Sequence, residues 1–128
     1  MDASKKKITT PEFDAVFRRL RRILEPHAGN FVVSVKKPDH YCLGVSSSPK
    51  FRKPYPIAWV KISKSYVGFH FMPIYFSPKL QENLSPKLKA RMQGKSCFNF
   101  KAVDEKLFEE LARLTTAGFQ LSKKANVF

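Results

Sequence analysis

The stretch IAWVKISKSYVGFHF, residues 57–71, decides the fold. In its first half Ala58, Val60 and Ile62 alternate with Trp59, Lys61 and Ser63. That two-residue period predicts a strand, Ile57–Ser63, with Ala58, Val60 and Ile62 on the packed face and Trp59 and Lys61 displayed on the other. Its second half predicts another strand, Tyr66–Phe71, in which His70 alternates with Phe69 and Phe71 and so falls on the solvent side of the pleat. Only Lys64-Ser65 separates the two, a tight hairpin connection that makes the pair antiparallel.

Outward from this hairpin the pattern repeats. Upstream, Phe31–Lys36 alternates and is rich in β-branched residues, Lys37-Pro38-Asp39-His40 is a turn, and Tyr41–Val45 returns as a strand. The segment SSSPKFRKPYP, residues 46–56, is polar, proline-punctuated and basic, and reads as a loop. Downstream, Ser77-Pro78 and Ser85-Pro86 each pair an N-cap residue with a first-turn proline, predicting short helices over Ser77–Asn83 and Ser85–Gln93. Gly94 reads as the stop of the second, and Ser96–Phe100 as a last strand. At the ends, Thr10-Pro11-Glu12 starts a helix whose Phe13, Val16, Phe17, Leu20, Ile23 and Leu24 make one apolar stripe, with Arg18, Arg19, Arg21 and Arg22 off it. Asp104 caps a final helix with Leu107, Phe108, Leu111, Leu114 and Phe119 facing the core. The order predicts an α+β, two-layer sandwich: a mainly antiparallel sheet of about five strands with the N- and C-terminal helices packed on it. Residues 1–9 read as a flexible basic N-terminus and 10–128 as a single domain.

Composition narrows the function. The 128 residues are 43% hydrophobic and 13% aromatic, which excludes a disordered chain. No apolar run approaches the ~20 residues of a membrane span, and the basic residues 1–7 lack a signal-peptide core. With Cys42 and Cys97 alone, no disulfide framework is implied, and a cytoplasmic location is expected. The net charge of +14 is lopsided. Residues 1–37 hold nine basic side chains against four acidic, residues 38–101 eleven against two, and residues 102–128 four against four. Such asymmetry favours a positive surface that steers an anionic partner.

Catalytic patterns are missing. His40 and Cys42 share a strand face, but no CxxC or HExxH spacing supports a metal site. His27 reads as a loop residue, and Cys97 as a buried, inert thiol. Ser46–Ser48 lack the G-x-S-x-G elbow, and Glu105, Glu109 and Glu110 read as a solvated helix face. Neither enzymatic activity nor a cofactor is expected. What remains is cations interleaved with aromatics. We expect Arg18, Arg22, Arg52, Lys53, Trp59 and Lys61 to form one surface for nucleic acid or a phosphorylated ligand, arginines on phosphates and Trp59 as a stacking plane. Two other classes stay open. One is a small-molecule or metal carrier with a cleft lined by Met72, Tyr75, Phe76 and Met92; the other is an interaction module for an acidic protein.

The segments AWVKISKSYVGFHFMP, GKSCFNF and DEKLFEELARL, within Phe51–Phe119, resemble the small bacterial YdhG-like domains. The resemblance implies a compact, frataxin-like helix–sheet–helix domain, mostly without assigned activity, with some relatives described as iron chaperones. Iron handling needs an acidic surface to hold a hard cation, whereas the first helix here is arginine-rich.

Overall fold

The computed structural model describes residues 11–45 and 55–124. Its six strands are β1 (Val32–Lys37), β2 (His40–Val45), β3 (Tyr55–Ile62), β4 (Val67–Phe71), β5 (Met92–Gln93) and β6 (Cys97–Phe100). They lie in the order β1-β2-β3-β4-β6-β5, every neighbouring pair antiparallel. The β3–β4 hairpin is as the sequence predicts: Val60 pairs with Phe69 and Ile62 with Val67, and all four are fully buried on one face. One irregularity matters there. Leu43 pairs with Ala58 but Gly44 with Pro56, so Ile57 is an extra residue, a β-bulge that carries Ile57 into the core beside Ala58. Gly44 is required at that point, because a Cβ would meet the Tyr55 carbonyl oxygen at 2.8 Å.

Two long helices cover the face that bears Val60 and Phe69: α1 (Pro11–Leu24) and, at the other end of the chain, Glu105–Lys124. The α1 stripe of Val16, Phe17, Leu20, Ile23 and Leu24 is buried, at roughly 1.5–3 kcal/mol for each large side chain. A 3-10 segment, Glu25–Asn30, follows it into β1. Asp104 caps the C-terminal helix by accepting the Leu107 N–H at 3.2 Å. Its Gly118 lies against Phe71, and a Cβ there would stand 2.5 Å from the ring. That close approach lets Phe119 reach Phe71 edge-on, with ring centroids 5.0 Å apart. Arg19 joins the two helices by a bidentate pair with Glu105, so this carboxylate is not merely solvated.

The segment between β4 and β6 departs from expectation. It holds three one-turn helices, α2 (Pro73–Phe76), α3 (Pro78–Glu82) and α4 (Pro86–Lys89), which makes Glu105–Lys124 helix α5. The sequence reading missed α2, since Met72 before Pro73 is no capping residue. The helix expected over Ser85–Gln93 stops at Lys89, because Met92 and Gln93 pair with Phe98 and Cys97 instead. Gly94 therefore turns a hairpin, at φ +75°, rather than ending a helix, and the sheet has six strands rather than about five. Ser85 caps α4 by accepting the Leu88 N–H at 3.1 Å. Its own N–H and hydroxyl donate to Glu110 of α5, at 2.8 and 2.6 Å, so Glu110 is likewise a structural group. No helix among the described residues is long and apolar enough to cross a membrane.

Candidate functional site on the helix-free sheet face

The apolar stripes bring the described helices to one side of the sheet, so the other side carries side chains of the opposite strand parity. Register arranges them in two rows across the strands. In the first, Val35, Cys42, Trp59, His70, Cys97 and Gln93 stand side by side. In the second, Lys37, His40, Lys61, Gly68 and Asn99 do so. The strands hold no carboxylate, and their charged side chains are Lys36, Lys37 and Lys61. Apart from Asp39 in the β1–β2 turn, every described carboxylate sits on a helix, the 3-10 segment or the α5 cap. Among the described residues the acids other than Asp39 thus lie with the helical layer, and the strands themselves carry only positive charge.

The first row is an aromatic unit. Trp59 and His70 stack with centroids 3.8 Å apart and planes 12° from parallel. On the far side of the imidazole, Nδ1 lies 3.1 Å from Cys97 Sγ and 3.4 Å from Ser96 Oγ. The thiol and the hydroxyl can each donate or accept, so Nδ1 is satisfied in either tautomer and the remaining ring nitrogen is Nε2. That Nε2 is buried and has no hydrogen-bond partner among the described residues. Desolvation pulls the His70 pKa down to about 4, which leaves the ring neutral at neutral pH. Burial pushes the Cys42 and Cys97 thiols up as well. The Cys97–His70 contact is therefore a neutral hydrogen bond and not an activated thiolate. Trp59 and His70 stand between the two cysteines, three strand spacings or roughly 14 Å, beyond the reach of a disulfide.

The second row is polar and more open. Lys61 is exposed between His40 and Gly68. Glycine at 68 leaves a depression flanked by Tyr66 and Asn99, each 3.5 Å from where a Cβ would be. The Asn99 N–H donates to the Arg91 carbonyl at 2.8 Å, which brings Arg91 to the end of this row. Beyond the other end of β4, Lys95 in the β5–β6 turn lies over the Tyr75 ring at 6.0 Å.

Of the six residues expected to form one surface, the structure brings Trp59 and Lys61 together here. Arg18 and Arg22 are exposed on the outer side of α1, with the sheet between them and Trp59. The apolar stripe of α1 must face the sheet, which turns these arginines away. The single convergent surface is thus not what the fold builds. Arg52 and Lys53 lie outside the described residues. The expected cleft of Met72, Tyr75, Phe76 and Met92 is also not formed. Both methionines pack against the core, while Tyr75 and Phe76 turn outward, 54% and 49% exposed. His27 is no loop residue either; it is half-buried and edge-on to Phe119 at 5.0 Å.

Sequence reasoning missed Lys37, Asn99 and Arg91 as companions of Lys61, and the contact of His70 with Cys97. Strand parity alone puts Lys61 and His70 on one face. Only the register across five strands sets Lys37 and Asn99 in its row. Among the described residues no group of three or more His, Cys, Asp or Glu is placed to hold a metal ion. No family model matches the chain. Neither a curated protein nor a solved structure matches it.

Proposed function

We propose that the protein is a non-catalytic binding module whose helix-free sheet face takes single-stranded nucleic acid. The observation that carries this reading is the pairing of two rows on a carboxylate-free sheet, one aromatic around Trp59 and one cationic around Lys61. Bases stack on the part of the indole left accessible, and the phosphates run past Lys37, Lys61 and Arg91. Aromatic stacking needs unpaired bases with free faces, so a single strand is preferred over a duplex. Tyr75 beside Lys95 offers a second stacking position beyond the end of β4.

The experiment is fluorescence anisotropy with labelled single-stranded and duplex oligonucleotides over a salt series. Three phosphate contacts give a slope of roughly −2 in log K against log salt on single strands. Absence of binding at low salt, or equal affinity for the duplex, rejects the reading.

A further inference from the structure

We infer a second site, independent of the sheet face: the cleft between the 3-10 segment and α5 takes an aromatic carboxylate. The cleft has a volume of about 450 Å³ and is lined by His27, Phe31, Val45, Phe119, Gln120 and Lys123, among others. That falls within the roughly 300–1,000 Å³ of small-molecule pockets, and its mix of apolar wall and few polar groups is theirs too. The wall is aromatic. Phe119 is the hub of a ring cluster, 4.8 Å from Phe31 at 44° and 5.0 Å from His27 at 61°. Phe31 and His27 are only half-buried, so their rings are open to a further ring in the same tilted packing.

Charge selects the rest of the ligand. Lys123 follows Phe119 by one helical turn on the same face of α5, and it is exposed at the cleft. Among the described residues no carboxylate lines this cleft. Burial lowers the His27 pKa, which keeps that imidazole uncharged and leaves Lys123 as the charged side chain among the described residues that line the cleft. Asn30 and Gln120 add neutral amide donors at the rim. A flat apolar ring therefore meets Phe31 and Phe119, while a carboxylate meets the ammonium. A cationic analogue meets only repulsion.

The test is titration calorimetry of the full chain with 2-naphthoate, 2-naphthol and 2-naphthylmethylammonium. The expected order is naphthoate tighter than naphthol by about tenfold, the gain of one charge-assisted contact, with the ammonium weakest. Lys123→Met is expected to erase the preference for naphthoate over naphthol. Lys79→Met removes the same charge from α3, outside this cleft, and is expected to preserve it. Thr116→Trp, at an exposed position lining the cleft, is expected to block both ligands while circular dichroism shows an intact fold. The inference is overturned if no naphthyl ligand binds, if naphthoate and naphthol bind alike, or if Lys79→Met erases the preference as fully as Lys123→Met. Binding that survives Thr116→Trp overturns it too. Oligonucleotide affinity reports separately on the sheet face, so either site can fail alone.

Discussion

Acidification is the perturbation that probes the sheet face most directly, through His70. Its ring is held against Trp59 and Nε2 is buried without a partner among the described residues, so the charged, doubly protonated ring is disfavoured by desolvation. The folded pKa is about 4, against an ordinary histidine value of 6.5. Because the folded value is the lower one, the unfolded chain binds more protons between these limits. Stability from this group is complete above pH 6.5, falls as the pH drops through the window, and levels off below pH 4. Two and a half pH units at ~1.4 kcal/mol each set a ceiling near 3 kcal/mol, and partial solvation of the ring reduces this to about 2. Urea unfolding followed by circular dichroism at pH 7, 5.5 and 4 measures it. His70→Phe keeps a ring beside Trp59 and removes the titration, so the wild-type curve should lose about 2 kcal/mol relative to the variant between pH 7 and 4. His27, whose pKa burial also lowers, is present in both proteins and cancels. Trp59 is the chain's one tryptophan, so its fluorescence follows protonation of the stacked imidazole, with a midpoint near 4. Parallel pH curves for the two proteins, or a fluorescence midpoint at 6.5, would refute the enclosed, neutral imidazole.

Gly118→Ala places a methyl 2.5 Å from the Phe71 ring and is expected to cost about 1–3 kcal/mol, read as a lower melting temperature. Glu110→Gln weakens two bonds to Ser85 and is expected to cost about 1–2 kcal/mol in urea unfolding, with the effect reduced but not abolished when Ser85→Ala is already in place, since the bond from the Ser85 backbone N–H remains. Trp59→Leu and Lys61→Gln are each expected to weaken single-strand binding about tenfold in anisotropy, from one stacked base or one phosphate contact. Arg18→Gln with Arg22→Gln, across the sheet, should change it by less than about twofold beyond the loss of net charge.

Much of the fold is legible in the sequence because its long elements carry period signals that nothing contradicts. Val60, Ile62, Phe69 and Phe71 alternate, and the α1 stripe recurs at helical spacing, so burial follows pattern. The short elements fail for an equally physical reason. Met92–Gln93 is too brief to show a period, and its strand state comes from pairing with Phe98 and Cys97 of a neighbour it reaches only after Gly94. The candidate site divides in the same way. Parity displays Trp59 and Lys61, but no local pattern says that Arg18 lies across the sheet from them, since sequence order is silent on which face each helix covers. His70 shows the limit most sharply. Its place on the helix-free face is legible, whereas its burial depends on Trp59, Ser96 and Cys97 arriving from two strands and a turn.

The partition of charge also weighs between partner classes. A hard cation such as iron needs about six oxygen ligands, gathered from carboxylates that are free to turn toward one point. Here Glu105 is committed to Arg19, Glu25 to Arg21, Glu110 to Ser85 and Asp104 to the first turn of α5. Glu105 and Glu110 thereby tie α5 to α1 and α4, while Glu25 and Asp104 bond close by in sequence. The lysines of the sheet show no such carboxylate partner among the described residues: Lys37 and Lys61 lie in a row with His40, Gly68 and Asn99. Cations set in one row repel one another, and an anion laid along the row relieves that repulsion. Affinity for such an anion must then fall steeply with salt, whereas only a carrier of iron would gain affinity with each carboxylate released from its arginine. Arg19→Gln separates the two: it frees Glu105 and is expected to leave both single-strand binding and iron retention unchanged, whereas a gain in iron retention would turn the argument toward a carrier.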